Sequence, residues 1–529
     1  MINLAKNIKN NVEEFSSQLS AKIWGHRFKD GQRGPEYVLE FLNVMFGTEY
    51  CLDSDCYFRN KAVNLRKFIF EGVKEGSKRD IAQLKEEQKI SLYEKIQDEE
   101  KVEVIREFFR NLEVPLVDGR GREADRSWYA RSLYPLHESL LFFEIRKKGQ
   151  GISYERNFFA RGGELYYLML SYGTTNYPDI RESIQNRIKT LLRKNNSVER
   201  IIDSIQDALG DNEIDIKKDT YPLKENNDNK EYPQLPVTEH YIFDEFAKEM
   251  NNLLNINIDV YEMFKLLTSL ISFQLMRYMY ERAKVNEGDR IEFFFDCLDG
   301  QNSQILKTSS GTFSNNELLI KNKFEDYFGN HFYSIIGDEE HVIEELPKWK
   351  ENPNETFITL MGLNKLQSRK KRVINTLMSC NNYKDVTTKL FNTVKEVISD
   401  QLKRHQLSII RTLARDGGIG NFKTGTNYRY TMTDTFLQTL VFVNVKPNDS
   451  IEFSEFLNLL YQKYGFVIGE VQARKSGLYE RSKLNISYYQ KNENSLRTKL
   501  KKNGLLVEFS DATAMIRNPY DVAEGVTIK

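Results

Sequence analysis

The chain has 529 residues, which is enough for about two to four domains with substantial hydrophobic cores. Hydrophobic residues make up 40% and aromatic residues 12% of the sequence, and this composition excludes a mainly disordered protein. Lysine plus arginine and aspartate plus glutamate number 76 each, so any basic patch must be balanced by acids elsewhere in the chain.

Several features predict a cytoplasmic bacterial protein. The first twenty residues are polar and lack the apolar core of a signal peptide. No run of apolar residues approaches the length of about 18 that a transmembrane helix needs. The four cysteines are too few for a disulfide framework and are expected to be free thiols. The abundance of asparagine, lysine and isoleucine is typical of an AT-rich bacterial genome.

Residues 1–210 are predicted to form a mainly helical domain. Segment 36–47 is densely apolar and ends at Gly47, as expected of a buried helix. Segment 80–113 is charged and amphipathic. Its predicted core contacts are Ile81, Leu84, Ile90, Leu92, Ile96, Val104, Ile105, Phe108 and Phe109.

A glycine pair, Gly162 and Gly163, precedes a further apolar helix in this domain. The free N–H groups of a helix N-terminus can bind an anion. However, Glu164 already supplies a negative charge there and no phosphate-binding motif is present, so a structural turn is the favoured interpretation.

Residues 211–236 are polar and asparagine-rich and contain three prolines, which predicts a linker or a long exposed loop. A central, mainly helical domain with a short strand region is predicted for 237–447. It has helices at 240–255 and 260–284, of which the second is apolar nearly all round and is expected to be buried.

Segment 291–300 is the best candidate strand of this central region. Its acids Glu292, Asp296 and Asp299 could be the metal-binding carboxylates of a nuclease. No lysine follows at the short spacing typical of nuclease motifs, so this remains an alternative.

A long amphipathic helix is predicted at 384–415, and it is followed by the glycine-rich loop 414–431. Glycines allow close backbone approach, Arg and Lys bind phosphates, and tyrosines stack on bases. A mobile surface loop would explain the composition equally well. Segment 436–445 is predicted as an apolar helix or strand. The candidate nucleic-acid contacts of the loop are Arg415, Lys423, Tyr428 and Arg429.

Residues 448–529 are predicted to form a winged helix-turn-helix. An amphipathic helix at 453–464 precedes a second helix that begins near Asn492 or Asn494 and ends at Gly504. The strands 505–509 and 514–516 then form a hairpin around residues 510–511.

Positive charge is concentrated in this last segment. Residues 474–502 contain nine Lys or Arg residues against two acids, a net charge of +7, which favours nucleic-acid binding over the alternative of a solvated lysine-rich helix. The predicted DNA contacts are Arg474, Lys475, Arg481, Lys483, Lys491, Asn494, Arg497, Thr498, Lys501 and Lys502.

Three stretches, GHRFKDGQRGPEYVLEFLNV (25–44), RNFFARGGELYYLMLS (156–171) and LRTKLKKNGLLVEFSDATAMIRNPY (496–520), resemble a protein family. They are similar to uncharacterised proteins of bacterial anti-phage defence islands, found in methylation-associated defence systems beside ATPases and a DNA methyltransferase. The resemblance implies one subunit of a multi-protein defence complex, with partners such as an ATPase, and it supplies no catalytic residues.

The sequence therefore predicts a mainly α, multidomain protein with a C-terminal winged helix. Its predicted function is that of a non-catalytic DNA-binding subunit of an anti-phage defence complex, with no cofactor, no metal and no membrane partner. A protein-interaction scaffold and a divergent metal-dependent nuclease remain the alternatives.

Overall fold

The protein is mainly helical in the computed structural model, as the sequence predicts. The structure describes residues 19–26, 28, 31–58, 63–73, 81–117, 122–123, 128, 131–141, 146–148, 151–153, 161–210, 220–224, 233–363, 367–422, 427–509 and 513–523.

The N-terminal part consists of helices joined by short strands and loops. The helices are α1 (Gly34–Gly47), α2 (Val63–Ile69), α3 (Glu86–Ile96), α4 (Glu99–Arg110), α5 (Gly162–Gly173), α6 (Pro178–Arg193) and α7 (Asn196–Leu209), with a 3-10 turn at Glu138–Leu140. The strands are β1 (Cys56–Phe58), β2 (Arg146–Lys148), β3 (Gly151–Ser153) and β4 (Thr220–Pro222).

The central part contains the longest helices. They are α8 (Tyr241–Leu254), α9 (Val260–Ala283), α10 (Ser303–Ile336), α11 (Glu339–Glu351), α12 (Phe357–Leu360), α13 (Gln367–Ser379), α14 (Tyr383–Asp385), which continues through a π-turn (Val386–Leu390) into α15 (Phe391–Asp416), and α16 (Asp434–Asn444). The strands are β5 (Phe293–Phe294), β6 (Gly420–Asn421) and β7 (Arg429–Tyr430).

The C-terminal part alternates short strands with helices. In chain order it contains β8 (Ser450–Glu452), α17 (Phe453–Tyr464), β9 (Phe466–Val467), α18 (Glu470–Lys475), α19 (Leu478–Ser482), α20 (Ile486–Lys502), β10 (Leu506–Glu508) and β11 (Ala514–Arg517).

The strands form small sheets rather than one large one. Antiparallel pairs join β1 to β4, β2 to β3 and β6 to β7, whereas β5 pairs in parallel with β9. The C-terminal strands form a three-stranded sheet in the order β10–β11–β8. The parallel pair connects the central part of the chain to the C-terminal part, because its two strands come from these different regions.

Helix α9 lies at the centre of the core. It is buried on all faces from Leu266 to Tyr280 and contacts α1, α10, α15 and α16. This confirms the buried central helix that the apolar pattern predicts. Buried residues from each of the three predicted domains contribute to one contiguous hydrophobic cluster, which extends from Leu19 to Ile516.

The glycine pair before α5 is a structural turn and a helix contact. A Cβ atom on Gly163 would lie 2.6 Å from the backbone nitrogen of Phe41 and 2.7 Å from the carbonyl oxygen of Tyr37, so α1 can approach α5 this closely only at a glycine. The Gly163 N–H donates to the Glu40 carboxylate at 2.9 Å. An internal carboxylate therefore occupies the N-terminus where the sequence suggested an anion site.

The described parts of the predicted linker pack against the N-terminal region. Strand β4 pairs with β1, and both Leu223 and Leu235 are buried. The Gln234 N–H donates to the Gly25 carbonyl at 2.9 Å.

Three residues predicted to be core contacts are exposed instead, namely Ile90 on α3 and Val104 and Phe108 on α4. On α4 the buried face carries Val102 and Phe109. At about 100° per residue, Val104 and Phe108 point away from that face. The predicted amphipathic segment is thus correct in its helices and wrong in these contacts.

The long helix α10 was not predicted from the sequence. Its first half is rich in Ser, Thr and Asn and includes Gly311, all of which weaken a helix prediction. In its second half, buried residues recur every four positions, at Ile320, Phe324, Phe328, Phe332 and Ile336. The neighbouring predicted strand 291–300 is reduced to the two residues of β5.

Candidate nucleic-acid interface

Helix α20 begins earlier than the sequence predicts. Asn485 is its N-cap, accepting a hydrogen bond from the Ser487 N–H at 3.0 Å. Its end is as predicted: Gly504 has a φ of +70°, and the Leu505 N–H donates to the Leu500 carbonyl at 2.9 Å.

One face of α20 is fixed to the segment that follows β5. The buried Asn492 side chain accepts from the Cys297 N–H at 2.9 Å and donates to the Phe295 carbonyl at 2.9 Å. The Ser495 hydroxyl donates to the Cys297 carbonyl at 2.8 Å. Asn492, predicted as a helix cap, is therefore a mid-helix anchor that sets the orientation of α20.

The opposite face of α20 is exposed. At about 100° per residue, its exposed residues lie within about 60° of one line along the helix. We call this set the outward stripe. It consists of Ser487, Gln490, Lys491, Asn494, Thr498, Lys501 and Lys502.

The outward stripe carries hydrogen-bonding and cationic side chains and no acid. The one acid within α20, Glu493, lies off the stripe, and burial raises its pKa. The sequence predicted five members of the stripe but missed Ser487 and Gln490, because the helix was expected to begin near Asn492. The correct signal was the N-cap Asn485, about two turns before Asn492.

The predicted hairpin is confirmed and lies beside the stripe. Strands β10 and β11 pair antiparallel, with Leu506 opposite Ile516. The predicted turn residues 510–511 lie outside the described residues. Phe509, at the end of β10, is largely exposed.

Glu508 on β10 forms ion pairs with two cations of α20. Its carboxylate lies 2.5 Å from Lys501 Nζ and 3.2 Å from Arg497 Nε. The hydrogen bond from Lys501 contributes most to lowering the pKa of Glu508 below its ordinary value, so the carboxylate is charged at neutral pH. The hairpin therefore places a negative charge at one edge of the outward stripe.

Ion pairs with acids outside residues 474–502 reduce the concentration of positive charge that the sequence predicts there. Four acids from outside 474–502 bring the window's net charge of +7 down to +3. The pairs are Arg474 with Glu470, Arg481 with Glu292, Lys499 with Asp299, and Arg497 and Lys501 with Glu508.

The remaining cations of this window differ in their surroundings. Lys475 donates to Asn458 at 3.2 Å. Lys483, Lys491 and Lys502 are exposed and form no ion pair within the described part of the chain. Of these, Lys491 and Lys502 belong to the outward stripe, where they are available for phosphate.

The loop predicted to assist DNA binding is mostly committed to internal contacts. Arg429 is buried and lies 2.9 Å from Asp296, so it cannot reach a surface ligand in this arrangement. Arg415 lies 3.0 Å from Asp416. Tyr428 stacks on Phe313, with ring centroids 5.4 Å apart. Lys423 lies outside the described residues. We therefore leave the loop out of the interface.

The acids considered for a nuclease site are each held by a cation. Asp296 accepts from Arg429, Glu292 lies 2.6 Å from Arg481, and Asp299 lies 2.6 Å from Lys499. Burial raises the pKa of both Asp296 and Glu292, despite their arginine partners. No three His, Cys, Asp or Glu side chains among the described residues are arranged to bind a metal ion. The paired acids do not favour the nuclease alternative.

No family model, no curated protein and no solved structure matches the chain. Among the described helices, none has both the length and the apolar character needed to cross a bilayer.

Proposed function

We propose that the protein is a non-catalytic DNA-binding subunit, and that residues 448–529 form a winged helix-turn-helix with α20 as its recognition helix. The observation that carries this proposal is the outward stripe, an acid-free row of amide, hydroxyl and ammonium groups on a rigidly anchored helix. The hairpin β10–β11 beside it would serve as the wing.

The dimensions of the stripe suit duplex DNA. From Ser487 to Lys502 the helix rises about 22 Å, and a major groove about 12 Å wide admits an α-helix. Gln490 and Asn494 can each form two hydrogen bonds with the edge of a base. Lysines bind phosphates as point charges and specify little, so we expect affinity to come chiefly from phosphate contacts and sequence preference to be limited.

The resemblance of the three stretches to anti-phage defence proteins supplies the setting of the proposal. In that setting the DNA-binding subunit acts in the bacterial cytoplasm with other defence proteins, such as an ATPase.

The test is fluorescence anisotropy with a fluorescein-labelled duplex of about 20 base pairs, over a series of salt concentrations. The double variant Lys491→Ala/Lys502→Ala should bind every duplex more weakly. Because each lost phosphate contact lowers the salt slope by about one unit, the slope should fall by about two units.

The control carries the same loss of charge elsewhere. Lys371→Ala/Lys384→Ala removes two exposed lysines from the region of α13 and α14. It should leave affinity and salt slope near wild-type values. Equal binding by wild type and the stripe variant, with the same salt slope, would contradict the proposal.

A protein-interaction scaffold is the second candidate, and the exposed apolar side chains of α4 favour it. Val104 is 68% and Phe108 is 42% exposed, and both lie on one face. Exposed apolar residues that share a face are typical of protein contacts. If this is the main function, Val104→Ser/Phe108→Ser should release a partner protein, and the stripe variant should retain it.

A further inference from the structure

The negative charge of Glu508 lies where the outward stripe would meet DNA. Lys501 is a member of the stripe and Arg497 borders it, and both are paired with this one carboxylate. A DNA phosphate is also an oxyanion, and it needs the same N–H donors.

We propose that Glu508 is an internal competitor of DNA phosphate for Arg497 and Lys501, and that it thereby determines how selective the interface is. The inference rests on the proposed function of α20. A DNA phosphate must either replace the Glu508 carboxylate at these two cations or approach them while the carboxylate repels it. Phosphate contacts are the same for every sequence, so Glu508 weakens binding to all duplexes and raises the relative weight of base contacts.

The exposure of the ion pairs makes this exchange feasible. The side chains of Lys501, Glu508 and Arg497 are 60%, 34% and 26% exposed. Ion pairs in such surroundings are weak and are screened by salt, because water solvates both partners when they separate. The pairs can therefore open without disturbing the helix, which is anchored on its other face by Asn492.

The alternative role for Glu508 is to position the two cations for phosphate. The two roles predict opposite signs. If Glu508 competes, removing its charge frees Lys501 and Arg497 and tightens binding. If it positions them, removing its charge loosens the cations and weakens binding.

The experiment compares wild type with Glu508→Gln in the same anisotropy assay, at 50 and 150 mM NaCl, with circular dichroism as a check on folding. Glutamine keeps the size of the side chain and removes the charge. We expect Glu508→Gln to bind about three- to tenfold more tightly, which corresponds to the release of two weak surface pairs.

Further variants test whether the gain depends on Arg497 and Lys501. In the background Arg497→Ala/Lys501→Ala, adding Glu508→Gln should tighten binding no more than adding Glu480→Gln does, because the cations that carry the specific gain are absent and only the change in net charge remains. Glu480→Gln removes one exposed charge from α19, which forms no ion pair with α20 among the described residues. Its smaller gain, due to net charge alone, should persist in the background that lacks the two cations.

The outcomes separate the inference from the function on which it rests. If the wild type binds DNA and Glu508→Gln binds equally well or more weakly, the competitor role is wrong and the DNA-binding function is retained. A gain from Glu508→Gln that survives removal of Arg497 and Lys501, and that exceeds the gain from Glu480→Gln in the same background, overturns it too. Absence of binding by both wild type and Glu508→Gln, even at 50 mM NaCl, overturns the proposed function and the inference with it.

Discussion

Glu249 and Glu508 each form ion pairs with two cations, the first in the core and the second at the surface. Glu249 on α8 is completely buried and lies 2.9 Å from Lys463 Nζ and 3.4 Å from Arg277 Nη1. Glu508 on β10 holds two cations of α20 at similar distances, but its side chain is 34% exposed. The same arrangement of charges therefore has different consequences in the two places.

Both oxygens of the Glu249 carboxylate accept hydrogen bonds. Its Oε1 also accepts from the Tyr464 hydroxyl at 2.9 Å, and its Oε2 accepts from Gln274 at 2.7 Å. The Arg277 guanidinium packs against the ring of Tyr464, 4.7 Å from its centroid. Burial alone would raise the pKa of Glu249, but Lys463 and Arg277 outweigh it and lower the pKa below its ordinary value.

The two carboxylates have the same number of cationic partners but differ in solvent access, so we expect the ion pairs of Glu508 to open more readily than those of Glu249. Opening the Glu249 pairs would leave the buried carboxylate and the Arg277 guanidinium with little access to water. Opening the Glu508 pair exposes charges to water, or to a phosphate that takes their place. The ion pairs of Glu249 join α8, α9 and α17, whereas those of Glu508 lie where a ligand could displace the carboxylate.

The largest expected effect comes from breaking the buried cluster. Glu249→Ala leaves Arg277 and Lys463 without their carboxylate, and removing one partner of a buried pair costs about 3–5 kcal/mol. The unfolding midpoints in heat and in urea should both fall markedly. Glu508→Ala is the matched control and should leave both midpoints near wild type. A stable Glu249→Ala protein would show that water reaches this cluster.

The pH dependence of stability tests the contribution of the Glu249 charge. Because the pKa of Glu249 is lowered in the folded protein, its charge stabilises the fold above the ordinary glutamate range near pH 4.3, and this contribution is lost as the pH falls through the folded pKa. The difference in unfolding free energy between wild type and Glu249→Gln should therefore narrow as the pH falls below about 4. Urea titrations of both proteins at pH 7 and below pH 4 measure this difference in unfolding free energy. A difference that does not change with pH would contradict the lowered pKa of Glu249.

Most of the helical framework could be predicted from local patterns. The all-apolar stretch of α9 predicts a buried helix. In α17, the spacing of Phe456, Leu457 and Leu460 predicts which face is buried. Helix α10 could not be predicted because Gly311 and its polar neighbours obscured the pattern.

Two of the ion pairs that neutralise the basic window could not be predicted, because their partners lie far apart in the chain. Arg481 and Glu292 are 189 positions apart, and Lys499 and Asp299 are 200 apart. A count of charges between 474 and 502 also stopped six residues before Glu508. Sequence alone therefore identified the candidate helix but overestimated its free positive charge.

A smaller effect is expected from removing one hydroxyl of the buried cluster, that of Tyr464, which also bonds to Asn444. Tyr464→Phe keeps the ring against Arg277 and deletes the hydroxyl that donates to Glu249. A hydrogen bond to a charged group contributes about 2 kcal/mol, so the unfolding free energy should fall by about that amount. Tyr461→Phe, on the same helix, is the control, since its hydroxyl makes no hydrogen bond with the described residues. If both variants lower the unfolding free energy equally, the hydrogen bond from Tyr464 to Glu249 makes no particular contribution to stability.

The smallest expected effect is a salt-dependent change in the coupling free energy between each carboxylate and its lysine. A double-mutant cycle measures the coupling between two side chains as the part of the double variant's effect that the single variants do not explain. For Glu508 and Lys501 we expect a weak coupling at 50 mM NaCl that disappears by 1 M NaCl, where the Debye length is about 3 Å. For Glu249 and Lys463 we expect a larger coupling that hardly changes with salt, because mobile ions do not enter the core. The single variants at Glu249 destabilise the fold, so the cycle uses glutamine at both carboxylates and methionine at both lysines to keep side-chain size. If the surface coupling persists at 1 M NaCl, the Glu508 pair is fixed rather than exchangeable, and a DNA phosphate could not readily displace it.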